Sequence, residues 1–387
     1  MRASSLRVAF FIQGEGRGHM TQALALKRIL EEAGHRVVAA FMGENPDRLI
    51  PEFFRSSFDA PIHTYLAPVF VVDPVNKGVR PWDSFFQALR RFPRYWSQGP
   101  TLNRDFLACQ PDLVVNFYDL IGGLYSAVFR PSVPVVAVGH QFLFHHPSFE
   151  TPRERAFQVN MIRVNNLLTS LDARVRLALS FSPLSSVPAR RVRVVPPLLR
   201  PEVLHAVPTR GRHLLAYVLN PGYSEELVRW HKGQSDIALH CFWDKVDAPP
   251  EYSPQEGLTF HRLDANTFLD LLTTCRGFTS TAGFESVCEA AFLGKAISLV
   301  PTGKHVEQLC NAIDAERAGV AVWRENFDLT DFLGKLDGWD YSGLDEYRNW
   351  VREAPEIFLR LLEGAARGED VMGIRTTPQP GKAENKL

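Results

Sequence analysis

A compact run of β-branched and aromatic residues, Leu6 to Ile12, breaks into Gly14, Gly16 and Gly18 and resumes as an amphipathic segment from Thr21 to Ala33. Strand, glycine loop and helix in that order are how a parallel sheet is wound. A strand buried on both faces reads as a continuous apolar run, and its crossover to a parallel neighbour needs a helix. Gly34 supplies the left-handed residue that closes such a helix, and Arg36 to Phe41 gives the next strand, so the chain begins with one βαβ unit. The alternation recurs at Pro111 to Phe117 and Val133 to Val138, around a helix from Gly122 to Phe129.

Between Val192 and His213 the chain carries Pro196, Pro197, Pro201, Pro208, Gly211 and four arginines, a composition in which regular structure is hard to continue. Beyond it a strand restarts at His213 to Leu219, Asn220 to Gly222 turn, and Glu225 to His231 begins a helix. Further strands read at Ile237 to Phe242, Thr259 to His261, Gly277 to Ser280 and Ala296 to Val300. A length of 387 residues suits two domains. The expected fold class is therefore α/β, with two Rossmann-like doubly wound parallel sheets. The expected divisions are a first domain at 1–195, a linker at 196–212, a second domain at 213–344, a C-terminal helix at 345–366 packing back on the first domain, and a disordered tail at 367–387.

Charge and cysteine content exclude several classes. The 43 basic and 43 acidic side chains cancel, which argues against a general nucleic-acid binder. Five widely spaced cysteines without a Cys-x-x-Cys pair argue against a disulfide framework or a zinc site and favour a reducing compartment. Met1 to Gln13 superficially suggests a signal peptide, but its short apolar run enters a glycine loop with no small-residue cleavage site and reads better as a first strand. No apolar stretch approaches the roughly 20 residues that span a bilayer. A cytoplasmic protein is expected, at most touching the inner face of the membrane. The run Arg90, Arg91, Phe92, Pro93, Arg94, Tyr95, Trp96 reads either as a contact for an anionic membrane or as a solvated helix face with Phe92 and Trp96 turned inward.

The densest chemistry lies between Phe278 and Asn311. Ser280, Thr281, Ala282 and Gly283 join a short strand to a helix. Small residues at a helix start expose backbone N–H groups, which with the helix dipole make an anion site suited to a diphosphate. Ser286 and Glu289 fall on one face of that helix, where a carboxylate suits the paired hydroxyls of a ribose. After the next strand come Pro301, Thr302, Gly303, Lys304, His305, Glu307, Gln308 and Asn311, a set that offers hydrogen bonds to sugar hydroxyls. Two strand-to-helix junctions at neighbouring strand ends make one crevice. Either segment alone is compatible with simple α/β packing; the ordered pair is what points to a ligand.

The order Phe-x-Ser-Thr-Ala-Gly-Phe-Glu-Ser-x-x-Glu-Ala, then Leu-Gly-Lys, then Pro-x-x-x-His-x-Glu-Gln-x-x-Asn-Ala resembles the donor site of GT-B glycosyltransferases. It is most similar to the UDP-glycosyltransferases and the lipid-linked N-acetylglucosaminyltransferase of peptidoglycan synthesis. The resemblance implies two domains facing across a cleft and a hexosyltransferase-type transfer from a nucleotide sugar, with UDP the expected carrier. It implies that Ser280 to Gly283 cradle the diphosphate, Glu289 holds the ribose, Arg262 and Leu263 flank the base, and His305, Glu307 and Gln308 lie at the donor sugar. Plant-type members carry a histidine where Thr281 stands, so phosphate contact here falls to the Thr281 hydroxyl and backbone donors. Glu285 also departs from expectation, an acid beside an anion site.

Gly16 and Gly18 of the first loop face the donor phosphates in the resembled family, with His19 at the loop's end. Imidazole titrates near working pH and suits the removal of a proton from an attacking hydroxyl. Asp119, just past a strand, is the candidate to orient His19. His140, Gln141 and Phe142 follow another strand end and are candidates for the acceptor pocket; His145 and His146 nearby raise a weak thought of zinc. The three glycines also fit a dinucleotide fingerprint, but no acidic residue closes the second strand except the late Glu44. With no Asp-x-Asp triplet, neither a metal nor a cofactor is expected, and the nucleotide sugar is a substrate. Direct displacement, inverting the anomeric centre, is a family-level expectation. The acceptor, lipid-linked or small, stays open, as do two rival readings: a UDP-sugar 2-epimerase of the same architecture and a non-catalytic nucleotide-sugar-binding protein.

Overall fold

A computed structural model describes residues 5–14, 16–44, 49–67, 90, 93–95, 97–218, 221–234, 236–245, 247–303 and 305–373. Arg91, Phe92 and Trp96 of the basic aromatic run, Leu219 and Asn220 at the expected turn, Lys304 and the tail from Thr376 lie outside the described residues.

The first half runs β1 (Arg7–Ile12), α1 (Arg17–Glu32), β2 (Arg36–Glu44), α2 (Glu52–Ser57), β3 (Ile62–Leu66), α3 (Gly99–Cys109), β4 (Leu113–Phe117), α4 (Leu120–Phe129), β5 (Val135–Val138), α5 (Ala156–Thr169), β6 (Val175–Leu179) and β7 (Val192–Val195). A short helix α6 (Pro201–His205) precedes the second half. That half comprises β8 (Leu214–Val218), α7 (Ser224–His231), β9 (Leu239–Trp243), β10 (Glu251–Gln255), β11 (Leu258–Arg262), α8 (Ala265–Thr274), β12 (Gly277–Ser280), α9 (Phe284–Phe292), β13 (Ala296–Leu299), α10 (Val306–Arg317), β14 (Val322–Trp323) and α11 (Thr330–Lys335). Helices α12 (Ser342–Arg352) and α13 (Ala354–Arg367) end it.

Among the described residues these strands form two seven-stranded sheets, ordered β3-β2-β1-β4-β5-β6-β7 and β10-β11-β9-β8-β12-β13-β14. All pairs are parallel except the β10–β11 edge. The expected α/β fold of two doubly wound sheets is the observed one. Its core begins where the sequence pattern is strongest: Val8 to Ile12 are completely buried, with Phe11 stacked on Phe41 at 5.0 Å and Phe10 edge-on to Phe117 at 5.1 Å. Each such ring removed from water contributes about 1.5–3 kcal/mol.

Two segments differ from the sequence reading. The proline- and arginine-rich stretch holds β7, whose four residues are all buried. Arg193 is buried in that strand: its Nη1 donates to the Met372 carbonyl at 2.7 Å, while Nε and Nη2 are sealed without a partner. The expected helix at 345–366 is two helices. α12 stops at Arg352, and α13 starts afresh with Pro355 in its first turn, where the missing N–H costs nothing. α13 lies against the first sheet's side of the molecule: His35 Nε2 meets Glu363 at 3.1 Å and Arg174 donates to the Ala365 carbonyl at 3.1 Å.

Strand order reverses between β1 and β4 in one sheet and between β8 and β12 in the other. Crevices at the carboxyl ends of such reversals are where open α/β sheets bind ligands. The residues just beyond β4 and β12, Tyr118 and Ala282, both take left-handed backbone angles, φ 59° each. Non-glycine residues rarely hold that conformation, and it clusters at functional loops. The halves meet there through hydrogen bonds of Gln22 with Glu285, Gln141 with Glu307, His140 with Asn311 and Arg155 with the Gly303 carbonyl. Away from this rim, the Trp350 indole donates to the Ser180 carbonyl at 3.1 Å, and Phe181 packs on Phe284 at 4.8 Å.

Candidate active site

α1 begins immediately after Gly16, whose φ of 90° turns the chain into the helix. Gly18 follows because nothing larger fits: a Cβ there would sit 2.8 Å from the Glu285 Cγ of α9. The starts of α1 and α9 are thereby brought together, one from each half. His19, in the first turn of α1, is buried and lies parallel to the Tyr118 ring at 5.7 Å. Burial holds its basicity below the ordinary histidine value, against an opposing pull from the Glu307 charge.

The expected pairing of Asp119 with His19 is not formed. Asp119 caps α4, accepting from the Gly122 amide at 2.6 Å, and its Oδ1 also accepts from the Tyr65 hydroxyl at 2.6 Å. An aspartate at an N-cap turns along its own helix to satisfy the first-turn amides. Burial pushes its carboxyl up to about 6. The hydrogen-bond partner of His19 is Gln22, with Oε1 3.4 Å from Nδ1. Gln22 Nε2 donates to Glu285 Oε1, so its oxygen faces the imidazole; Nδ1 then carries the ring proton and Nε2 keeps the lone pair. Asp119→Asn is accordingly expected to leave turnover near the parent value, since asparagine caps equally well. A loss of about 10⁴ in kcat, the size seen when a triad aspartate is neutralised, would restore Asp119 to the base machinery.

On the opposite wall, the Thr281 amide is taken by the Tyr217 carbonyl at 3.3 Å and the Ala282 amide by Ser280 Oγ at 3.3 Å. The open donors therefore belong to the first turn of α9, which starts from Gly283 with no side-chain cap. Ser286, 7% exposed, holds its Oγ over that turn, and the atom is sealed from water with no hydrogen-bond partner. Glu289 is 5% exposed, and both its oxygens accept from Arg200, from Nε at 2.6 Å and Nη2 at 2.9 Å. Arg200, at the start of α6, was not among the expected site residues. It is one of four arginines in the proline-rich stretch, and spacing alone did not distinguish it. Gln22 was missed likewise, as an ordinary polar residue on a helix.

In the segment after β13, His305 caps α10, accepting from the Gln308 amide at 3.3 Å. The Gln308 side-chain oxygen accepts from the Thr302 amide at 2.9 Å and hydroxyl at 2.8 Å, which fixes the loop after β13. Glu307 reaches across the cleft to Gln141 Nε2 at 3.0 Å. Asn311 meets His140 Nε2 at 2.7 Å and donates to the Ala282 carbonyl at 3.2 Å, bracing the left-handed residue. His140 stacks on Phe284 at 3.9 Å, whereas Phe142 is a core residue, completely buried. His146 turns instead to the Ser185 carbonyl at 2.8 Å, and among the described residues no three His, Cys, Asp or Glu side chains gather as a metal cluster. Arg262 ends β11, two strands from β8, and is exposed; Leu263 follows it. The lysine of the Leu-Gly-Lys segment is structural: buried Lys295 donates to the Thr209, Thr273 and Cys275 carbonyls at 2.7, 2.7 and 3.0 Å.

Solved structures of similar shape are glycosyltransferases or nucleotide complexes. SnogD, a glycosyltransferase from Streptomyces nogalater, superposes with a TM-score of 0.58 at 17% identity, over 94% of this chain and 99% of that one. LpCGTa in complex with UDP gives 0.60 at 15% identity, over 96% and 100%. The glycosyltransferase VinC in complex with dTDP gives 0.59 at 16% identity, over 94% and 100%. At these identities the likeness is one of fold, the GT-B fold. No curated protein sequence matches the chain. The family model described as glycosyl transferase family 1 matches residues 6–336, and the chain belongs to that family: it is a GT-B glycosyltransferase.

Proposed function

We propose that the enzyme moves a sugar from a nucleotide-diphosphate sugar to a hydroxyl acceptor in the crevice between the two sheets, without a metal and with inversion. The observation that carries this reading is the uncapped start of α9, with Ser286 Oγ sealed and unpartnered above it. Free first-turn amides, a hydroxyl donor and the positive end of a helix dipole are what a diphosphate needs. The UDP and dTDP complexes of similarly folded proteins favour the same class of donor.

A carboxylate has about four lone-pair positions, and Arg200 uses two of those on Glu289. The other two suit the paired hydroxyls of a ribose, with Arg200 holding the carboxylate in place. Glu307 and Gln308 contact the transferred sugar, and His140 and Gln141 border the acceptor. As the acceptor oxygen attacks the anomeric carbon, its proton passes to His19 Nε2. The bond from that carbon to the diphosphate oxygen breaks, and its electron pair leaves with the diphosphate toward the α9 dipole. Attack opposite the leaving group inverts the centre.

UDP and dTDP titrated by calorimetry test the donor class. At least one is expected to bind, and Glu289→Gln is expected to weaken it about 10- to 100-fold, the worth of a hydrogen bond to a charged group. A folded protein that binds neither nucleotide would sink the reading.

A further inference from the structure

Glu285 is the acid that fits no expectation for an anion site, and the structure does not turn it outward. The residue as a whole is partly exposed, yet its Oε2 is sealed from solvent without a partner, while Oε1 accepts from Gln22. Gly18 packs against its Cγ, so the side chain is confined between the starts of α1 and α9, in the first turn of the helix that offers its amides to phosphate. A confined carboxyl whose one oxygen accepts a hydrogen bond can place a proton only on the other. A proton on Oε2 is a donor in need of an acceptor.

We propose that Glu285 is a diphosphate-binding residue that works as a carboxylic acid, donating a hydrogen bond from Oε2 to a phosphate oxygen of the donor. The proposal rests on the nucleotide-sugar reading above and assigns to that site a donor that the sequence pattern treats as an obstacle. An ionised carboxylate there would repel the ligand; a neutral one reverses the sign of the contact. The groups facing Glu285 agree with the neutral form. Burial is the largest influence and pushes its acid up to about 8; Glu289 on its own helix raises it further, and Gln22 of α1 and Arg200 pull it back. Cys288 on α9 and Tyr347 of α12 also face it, both held in their protonated forms by burial.

The sign follows. The acid is protonated and donating below about pH 8, and above that it ionises and opposes the phosphate. The experiment is calorimetric binding of UDP between pH 7 and 9.5, to the full chain and to Glu285→Gln, whose amide keeps both an acceptor for Gln22 and a donor for phosphate. Affinity of the parent is expected to fall by up to about tenfold per pH unit above the ionisation, and the Glu285→Gln variant is expected to hold its affinity. Reading the slope as the difference between the two proteins cancels the probe's own titration. Equal slopes would overturn the proposal. Inorganic pyrophosphate is the second probe. A slope difference with pyrophosphate and no binding of UDP would keep Glu285 as a phosphate donor and sink the nucleotide reading. No slope difference with either probe would sink the role of Glu285. Thermal melts provide the fold control: the melting temperature of Glu285→Gln is expected to exceed the parent's by a margin that widens from pH 5 to pH 8. A constant margin would show that the acid is ionised throughout and would also overturn the proposal.

Discussion

Arg200→Met is expected to destabilise the protein by about 3–5 kcal/mol, the penalty for leaving one member of a buried ion pair alone. Glu289 is 5% exposed and receives two hydrogen bonds from one planar guanidinium, so methionine would keep most of the volume and strand the charge. Adding Glu289→Gln to the same chain is expected to regain most of that loss, because the stranded charge is gone. Neither form should hold nucleotide normally, the first because its carboxylate has lost its alignment and the second because it has lost the carboxylate. Denaturant unfolding of the parent, both single variants and the double variant measures the coupling directly. A cost below about 1 kcal/mol for Arg200→Met would mean that the pair behaves as an exposed surface contact.

His19→Ala is expected to lower kcat by about 10²- to 10⁴-fold while nucleotide affinity stays near the parent value. The residue stands against Tyr118 of the first half, whereas Glu285 and Ser286 lie in the first turn of α9, where the proposed phosphate contacts are. The pH profile carries a second check. A base works deprotonated, and burial depresses His19 below its ordinary 6.5, so the plateau of kcat is expected to extend to lower pH than a free imidazole would allow. An acid limb that persists unchanged in His19→Ala, or near-normal turnover in that variant, would assign the proton to another group.

The fold was legible wherever burial is two-sided. Runs such as Val8 to Ile12 and Leu113 to Phe117 are continuous apolar segments because both faces of a central parallel strand are covered. It was less legible at β7, where Arg193 interrupts the apolar pattern and reaches for the distant Met372 carbonyl. The donor wall was legible in outline, since small residues before a helix announce free amides. What lay beyond the sequence was pairing at long range. Arg200 finds Glu289, Gln22 finds Glu285, and Asp119 prefers Tyr65 and its own helix, and each of these depends on how two halves or two distant elements are set together. Glu285 shows the limit most clearly. Its residue type argued for repulsion, and only its enclosure argues for a proton.

The rim where the halves touch is polar, while the packing of Trp350 and Phe181 behind it is aromatic. A hydrogen bond traded for water is worth a net of about 0.5–1.5 kcal/mol, so parting the four rim contacts costs on the order of a few kcal/mol. Behind the rim the Phe181–Phe284 contact is apolar, and water cannot replace it as it can replace a hydrogen bond. The seam between the halves is therefore unequal: its polar edge can trade partners with water at small cost, and its apolar back cannot.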